Sequence, residues 1–265
     1  MFCGRYTDRT VLVTGAATGI GYALACSFVR ASAARVIITG RRAEVLSHAA
    51  EALKQEIVPD SGTEIIPLRN DVSDATAVNE MWQSAASIAA NLPTLDLFGQ
   101  DGGALWKEFD ANVRGTLQMT ERFYRQQASK RKYLIYVATA ASHDFNLAAN
   151  HLGYPLTKHT AQLALQLIAR DVKADDMQII SFHPGAVLGE SAKGKGHTEG
   201  SLPWDDADLA GGFSVWAVSP EATFLHGRFV WAGWDVDALQ KGDIRKRIDE
   251  DEEYLRIGVN GLCRI

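Results

Sequence analysis

The sequence predicts the α/β class, with one parallel sheet wound in two directions and covered by helices on both faces. Short runs of β-branched residues alternate with longer amphipathic stretches from about residue 8 to residue 235. Such alternation is typical of β-α-β units, whose crossovers place helices over a parallel sheet. Of 265 residues, 46% are hydrophobic and 22% are charged, which is enough apolar material for a sizeable core. We therefore predict a single domain over 1–265, with a core at about 8–235 and a C-terminal extension at about 236–265.

The strands and helices follow in order from the periodicity of the apolar residues. The predicted strands cover 10–14, 35–39, 64–68, 95–98, 133–139, 178–182 and 228–231. The predicted helices cover 19–31, 43–56, 74–90, 104–128, 154–173 and 205–218. Asp74 is a plausible N-cap for the third helix. In a doubly wound sheet of the Rossmann type, ligands lie at the carboxyl ends of the strands, so functional residues are expected just after strands.

Composition argues against several classes of partner. The formal net charge is −5 and the isoelectric point is near 5.8, so the chain has no overall attraction to nucleic acid or to anionic lipid. No apolar run approaches the roughly 20 residues that a membrane span needs, and no signal peptide precedes the first strand. We therefore expect a cytoplasmic protein that binds neither nucleic acid nor a membrane.

Neither the cysteines nor the histidines predict a disulfide framework or a metal site. The three cysteines, Cys3, Cys26 and Cys263, are too few and too scattered, and are expected to be reduced thiols. The loop histidines, His143, His151 and His183, lack metal-ligand spacing and are assigned loop or structural roles. No metal is expected.

A glycine-rich turn follows the first predicted strand and opens the first helix, with the sequence TGAATGIG over 14–21. A pyrophosphate can approach backbone N–H groups at a helix N-terminus only where no Cβ holds it off. The turn favours nucleotide binding over the alternative of a simple tight loop. We assign cofactor contacts to Gly15, Thr18, Gly19, Ile20 and Gly21.

The residues after the second and third strands predict the cofactor. Gly40 is followed by Arg41 and Arg42, and no carboxylate is present there to hold a ribose 2′-hydroxyl. Arginine accommodates the 2′-phosphate of NADP, so NADP(H) is preferred to NAD(H), with Arg41 as the ligand; the alternative is two solvated arginines at a helix start. Asp71 is placed to accept a hydrogen bond from the adenine amino group, with Val72 packing on the ring. Asp71 also suits a loop cap, and the two roles are compatible.

Tyr154 and Lys158 lie one helical turn apart at the start of the fifth long helix, so they share a face. A phenol titrates near pKa ~10. A neighbouring ammonium favours the phenolate and is expected to lower that pKa. A tuned phenol of this kind can pass a proton to the oxygen of a carbonyl that receives hydride.

Together these motifs resemble the short-chain dehydrogenase/reductase family. The matching segments are 14–21 (TGAATGIG), 70–72 (NDV), 111–115 (ANVRG), 154–158 (YPLTK) and 183–187 (HPGAV). Residues 211–220 and 224–239 also resemble the C-terminal part of uncharacterised fungal members. The resemblance implies an oxidoreductase that interconverts a small-molecule carbonyl, a ketone or aldehyde, and an alcohol by hydride transfer.

The resemblance also implies residue roles. Tyr154 would be the acid-base, Lys158 its electrostatic partner and a ligand of the nicotinamide ribose, and Asn112 the holder of a relay water. The loop with Pro184, Gly185 and Val187 would contact the nicotinamide amide. Members of the family commonly pair the helices predicted at 104–128 and 154–173 between subunits, which implies a homodimer or homotetramer.

The residue that polarises the substrate carbonyl is serine in the family. Aligning the fifth strand places Thr139 there, and its hydroxyl can serve the same role. Counting back from Tyr154 by the family's usual interval instead reaches Ala141, beside Ser142. Thr139 is our choice, and Ser142 is the alternative.

The fourth strand departs most from the family. Sixteen positions separate Asp96 from Asn112. The family pattern needs about a dozen more residues between them. Because a strand advances about 3.3 Å per residue, the shorter segment cannot supply both a full-length strand and the usual turn. Either the strand is short or the loop Gly99–Gly103 replaces the usual cofactor-lining turn, as after a deletion. The alternative function that follows is a catalytically impaired protein that binds nucleotide or acts as a scaffold.

The stretch after the HPGAV motif departs less. Leu188 and Gly189 stand where the family often has a threonine that contacts the cofactor, so that contact is expected to be absent. Residues 193–200 fall at the family's mobile substrate lid, and their glycines suit a hinge. A plain surface loop is the alternative.

Overall fold

One parallel sheet organises the chain. The structure is a computed structural model that describes residues 6–88, 94–96, 105–126, 130–148, 153–194 and 196–259. The strands are β1 (Thr10–Val13), β2 (Arg35–Gly40), β3 (Glu64–Arg69), β4 (Thr94–Asp96), β5 (Lys132–Val137), β6 (Met177–His183) and β7 (Phe229–Trp231). They form a seven-stranded sheet in the order β3-β2-β1-β4-β5-β6-β7, and every neighbouring pair is parallel.

Among the described residues, helices occupy the six predicted places, and three further short helices, Glu190–Gly194, Val236–Lys241 and Asp243–Glu250, were not predicted. They are α1 (Gly19–Arg30), α2 (Ala43–Gln55), α3 (Ala75–Ile88), α4 (Leu105–Phe109), α5 (Thr116–Arg125), α6 (Gly153–Asp171), α7 (Glu190–Gly194), α8 (Ala207–Ala217), α9 (Val236–Lys241) and α10 (Asp243–Glu250). The predicted cap of α3 is confirmed, because Asp74 Oδ1 accepts from the backbone N–H groups of Thr76 at 2.8 Å and Ala77 at 3.2 Å.

The two faces of the sheet bury two separate hydrophobic cores. Successive strand residues point to opposite faces, so Val11 and Val13 of β1 enter one core and Leu12 enters the other. Helices α1, α2 and α8 cover the first core, and α3, α5 and α6 cover the second. This arrangement confirms the predicted fold class, a doubly wound Rossmann-type sheet in a single domain.

The chain reverses its direction of winding between β1 and β4. From β1 it proceeds outward through β2 and β3, and after α3 it returns to β4 on the other side of β1. A crevice opens at such a switch point beside the carboxyl ends of the strands. The glycine turn after β1 borders this crevice.

Strand β4 has three residues and remains a full member of the sheet. Leu95 pairs with Val13 of β1 on one side and with Ile135 of β5 on the other. The short-strand expectation stays a prediction, because residues 97–98 of the predicted strand are not among the described residues, and the proposed deletion itself is not shown. The loop Gly99–Gly103 lies outside the described residues.

The helix predicted over 104–128 is interrupted. Between α4 and α5 the backbone widens into a π-helical turn, Asp110–Gly115, which contains Asn112. Single π-turns inside α-helices are frequent at functional sites. The interruption has no signature in the apolar periodicity, which is why the sequence predicts one continuous helix.

The segment predicted as a C-terminal extension packs on the main core as far as it is described. Leu239 and Ile248 are buried in the same core as β1. The buried guanidinium of Arg228 donates to the carbonyl oxygens of Phe224 and Tyr254, both at 3.2 Å. In the described part of the chain, no helix combines the length and apolar character needed to cross a membrane.

Candidate active site

A cavity of about 360 Å³ opens at the carboxyl ends of β5 and β6, beside the start of α1. Thr139, Tyr154 and Lys158 line it together with Ile20 of the glycine turn. The loop Pro184–Val187, which follows β6, forms a further wall. Residues predicted for catalysis and for cofactor binding therefore meet in one cavity.

The glycine turn has a backbone conformation that favours glycine. Gly15 and Gly19 have φ angles of +65° and +58°, in the left-handed region that other residues rarely adopt. A Cβ on Gly21 would lie 2.9 Å from the Gly15 carbonyl carbon and closer still to its oxygen. The turn is also tied to β2, since Ala16 N–H donates to Thr39 O at 3.0 Å.

The start of α1 is suited to an anion. Thr18 occupies the N-cap position, but its side chain makes no capping hydrogen bond. The first N–H groups of a helix lack partners within the helix and carry the positive end of its dipole. These N–H groups suit an anion such as a diphosphate, and no heavy atom lies within 4 Å of the position that a Cβ on Gly19 would occupy.

Arg41 and Arg42 follow β2 on the surface, as predicted, and both are exposed. Arg42 Nη2 pairs with Glu190 Oε2 of α7 at 3.1 Å. The Arg41 carbonyl accepts from Arg69 Nε at 3.3 Å. Two guanidinium groups thus stand at the carboxyl end of β2, where the distal ribose of a dinucleotide would lie.

Asp71 is a loop cap in this structure. Its Oδ1 accepts from the Ser73 backbone N–H at 3.0 Å and from the Ser73 hydroxyl at 2.7 Å. Val72 lies against the π-helical turn: a Cβ on Gly115 would be 3.3 Å from Val72 Cβ, with the Val72 carbonyl closer still. The adenine contacts of Asp71 and Val72 remain predictions.

Tyr154 and Lys158 both face the cavity from α6, but their surroundings differ from the expectation. Burial raises the pKa of the Tyr154 phenol, Glu108 raises it further, and a hydrogen bond with Thr139 opposes the rise. The predicted lowering is therefore wrong for this structure, because burial outweighs the favourable contacts. The Lys158 ammonium donates to Val137 O at 2.6 Å and lies 4.5 Å from the centre of the Tyr136 ring.

Asn112 is buried beside α6. Its Nδ2 donates to Thr157 Oγ1 at 2.8 Å, and Thr157 in turn donates to Gly153 O at 2.8 Å. Asn112 Oδ1 is buried without a hydrogen-bond partner among the described residues. A buried acceptor of this kind needs a partner, and a bound water would supply one.

The two candidates for the carbonyl-polarising hydroxyl, Thr139 and Ser142, differ in their position relative to the cavity. Thr139 lines the cavity, contacts Tyr154, and accepts from Ala141 N–H at 3.3 Å as the cap of a 3₁₀ turn, Ala140–Ser142. Ser142 is buried, and its hydroxyl has no partner in the described part of the chain. Ser142 is not among the residues that line the cavity. The geometry favours Thr139.

His183 is a cavity residue that sequence reasoning assigned only a loop or structural role. Its Nδ1 accepts from Ala140 N–H at 3.2 Å, and its ring packs edge-on against Trp231 at 4.7 Å. Burial lowers the pKa of His183 to about 4, with Asp205 opposing and His143 adding to the fall. The available signal was its place at the end of a predicted strand, directly before Pro184.

Among its described residues, the segment predicted as a lid, 193–200, reaches the cavity through His197, and two residues just beyond the segment line the cavity as well. His197, Leu202 and Trp204 contribute to the lining. The Trp204 indole donates to Thr198 O at 2.8 Å, which holds the ring in place. The position agrees with a lid, and its mobility remains a prediction.

Within the described ranges, no group of three or more histidine, cysteine or acidic side chains is arranged to hold a metal ion. His151 lies outside those ranges. The polar groups of the cavity are hydroxyl, ammonium and imidazole, which suit proton transfer to and from an oxygen.

A family model and a known relative each match most of this chain in sequence. The family model for short chain dehydrogenases matches residues 9–200. A short chain dehydrogenase/reductase of Claviceps purpurea (strain 20.1) is 35% identical, over 96% of this chain and 87% of the relative.

Two solved structures show the likeness in three dimensions. L-sorbose reductase from Gluconobacter frateurii, complexed with NADPH and L-sorbose, has a TM-score of 0.73 at 19% identity, covering 84% of this chain and 94% of that one. The RhlG/NADP complex of Pseudomonas aeruginosa has a TM-score of 0.72 at 18% identity, covering 87% and 96%. At these identities the structural likeness shows the fold alone.

Proposed function

The chain belongs to the short-chain dehydrogenase family, an oxidoreductase family that acts on carbonyls and alcohols, and on that premise we propose that it is an NADP(H)-dependent carbonyl reductase or alcohol dehydrogenase. One observation carries the proposal. Thr139, Tyr154 and Lys158 share a cavity with Ile20 and with the loop Pro184–Val187. Groups for proton transfer and groups for seating a dinucleotide are therefore adjacent.

The chain would hold the cofactor at both ends. The turn with Gly15, Gly19 and Gly21 would seat the diphosphate, and the loop after β6 would contact the nicotinamide amide through its backbone. A bound nicotinamide would supply hydride to the carbonyl carbon, or accept it in the reverse direction. The protein supplies position, polarisation and the proton.

The proton would come from Tyr154. A phenol whose pKa is raised keeps its proton at neutral pH, so it is available as an acid when a carbonyl is reduced. Thr139 would donate a hydrogen bond to the carbonyl oxygen and favour the charge that develops there. Lys158, in the same cavity, would favour the phenolate left after proton transfer. Asn112 would hold a water through Oδ1 on the route that returns the proton.

The preference for NADP(H) rests on the arginines after β2. A guanidinium binds phosphate through several N–H donors, and none of Gly40, Arg41 and Arg42, at the end of β2, carries a carboxylate that would repel the 2′-phosphate. Arg41→Ala is expected to weaken NADPH binding while leaving NADH binding nearly unchanged. Equal affinities of the wild-type protein for the two cofactors would contradict the preference.

The decisive experiment replaces Tyr154 with phenylalanine, which removes the phenol hydroxyl and keeps the ring. Turnover of a panel of ketones and aldehydes with NADPH is expected to fall by at least about 100-fold, the usual contribution of a general acid. NADPH binding, measured by fluorescence enhancement, is expected to persist. Tyr124→Phe is the matched control, because it deletes the same hydroxyl from an exposed site on α5.

Near-wild-type turnover by Tyr154→Phe would refute the assigned role. The alternative of a non-catalytic nucleotide binder gains no support from the relatives, and β4 keeps its place in the sheet. NADPH binding by the wild-type protein without turnover of any carbonyl or alcohol would nevertheless favour that alternative.

Self-association and a cytoplasmic location remain parts of the proposal. Apolar side chains are exposed on the helices that the family pairs between subunits, among them Trp106 at 73% and Leu167 at 53%. Pairing of these helices between subunits would bury such side chains. Sedimentation of the purified protein tests whether it forms a homodimer or a homotetramer.

A further inference from the structure

Two residues, Ala186 and Asp205, pair with each other on either side of the stretch that contains the predicted lid, residues 193–200. The Asp205 backbone N–H donates to Ala186 O at 2.7 Å. In the opposite direction, the Ala186 N–H donates to Asp205 Oδ2 at 2.7 Å. The carboxylate thus closes a ring that joins the chain after the lid to the loop after β6.

The loop is shaped around that carboxylate. Gly185 has a φ of +96°, and a Cβ on Gly185 would lie 2.6 Å from Asp205 Oδ2 and 2.9 Å from Asp205 Cβ. Both the conformation and the close approach require glycine at this position. The absence of a Cβ at Gly185 therefore leaves the space that the Asp205 side chain occupies.

The same loop walls the cavity. Gly185, Ala186 and Val187 line it together with Tyr154 and Lys158. The Asp205 charge also acts on His183, the cavity imidazole that precedes the loop. A hydrogen bond from a backbone N–H to an ionised carboxylate is stronger than one between neutral groups. Asp205 therefore fixes the peptide at Ala186, and with it the orientation of the adjoining carbonyl and N–H groups.

We propose that Asp205 is a positioning residue, which holds the loop Pro184–Val187 so that its backbone can bind the nicotinamide amide. The inference rests on the proposed function, because it assigns the loop to the nicotinamide end of the cofactor. Leu188 and Gly189, which follow the loop directly, have no hydroxyl that could hold it. The hydrogen bond from the Ala186 N–H to the Asp205 carboxylate is what holds the loop in this chain.

The test compares two ligands that differ at the nicotinamide end. NADPH reaches the loop, whereas 2′,5′-ADP has the adenosine and its 2′-phosphate but no nicotinamide. In Asp205→Ala the Kd for NADPH is expected to rise about fivefold, the equivalent of about 1 kcal/mol for one hydrogen bond. The Kd for 2′,5′-ADP is expected to stay unchanged, which a general structural defect would not allow.

Two further variants separate the possible causes. Asp205→Asn keeps an oxygen that can accept from the Ala186 N–H and is expected to bind NADPH more tightly than Asp205→Ala. Asp206→Ala is the matched control. It removes a carboxylate from the next position, where Oδ1 caps α8 through the Asp208 N–H at 2.9 Å. This control is expected to lose some stability but to bind NADPH normally.

The outcomes distinguish this inference from the proposed function. Unchanged NADPH affinity in Asp205→Ala, or equal losses for NADPH and 2′,5′-ADP, would overturn the positioning role alone. Affinity in Asp205→Asn as low as in Asp205→Ala would also overturn it, because the amide oxygen of asparagine can still accept from the Ala186 N–H. A wild-type protein that binds neither NADPH nor NADH would overturn the proposed function and, with it, this inference.

Discussion

The glycine turn makes a quantitative prediction for Gly21→Ala. The new Cβ would lie 2.9 Å from the Gly15 carbonyl carbon and 3.1 Å from Ala16 Cα, and closer still to the Gly15 oxygen. These are backbone atoms of a turn that is hydrogen-bonded to β2 through Ala16. They cannot rotate aside as the end of a flexible side chain would, so the turn itself must move.

Two effects of opposite sign compete in this variant. Alanine is favoured over glycine inside a helix by up to about 1 kcal/mol. Overpacking against a close-packed region costs about 1–3 kcal/mol. We expect the clash to prevail, with a net loss of about 1–2 kcal/mol in the free energy of unfolding. Displacement of the turn should also weaken NADPH binding by about tenfold or more, which corresponds to at least 1.4 kcal/mol.

The assay pairs urea unfolding with an NADPH titration. Gly212→Ala is the matched control, because Gly212 lies inside α8 and a Cβ there meets nothing within 4 Å. That variant is expected to be as stable as the wild-type protein or slightly more stable, with unchanged NADPH affinity. The reasoning fails if Gly21→Ala behaves like Gly212→Ala in both measurements.

Two further predictions concern titratable groups. Burial lowers the pKa of His183 from its usual value near 6.5 to about 4, so the unfolded chain binds the extra proton and the free energy of unfolding should fall as the pH decreases from about 6.5 to 4. His183→Asn, which keeps an acceptor for Ala140 N–H, should show a shallower fall in urea unfolding, and an unchanged slope would contradict this. Burial raises the pKa of the Cys26 thiol to about 11. In a variant with Cys3 and Cys263 changed to serine, Cys26 should therefore react slowly with a disulfide reagent at pH 8 until urea unfolds the protein. Rapid modification of the native protein would contradict this.

Local patterns in the sequence were sufficient for the parts of the site that depend on neighbours along the chain. The glycine turn at 14–21 and the spacing of Tyr154 and Lys158 each occupy one strand end or one helical turn, so their geometry follows from short-range rules. The order of β-branched and amphipathic segments likewise predicted the fold class, because a repeated β-α-β chain has few compact arrangements.

Contacts between distant segments were not predictable in the same way. The direction of the Tyr154 pKa depends on how deeply α6 packs over the sheet, and Lys158 finds Val137 on a neighbouring strand. The role of His183 depends on Ala140 and Trp231, which belong to two other segments of the chain. None of these pairs has a spacing that a single sequence reveals.

The sequence by itself therefore determined which chemical groups follow which strand, and through them the fold class and the predicted site residues. Only the tertiary structure decided which of those groups face one another, since it brings Thr139 rather than Ser142 to the lining of the cavity and places Asp205 against Gly185. The physical reason is the distance along the chain over which each kind of interaction acts. Backbone propensity and helical spacing act over a few residues, whereas burial, hydrogen-bond partners and charge environment depend on segments that only the folded sheet brings together.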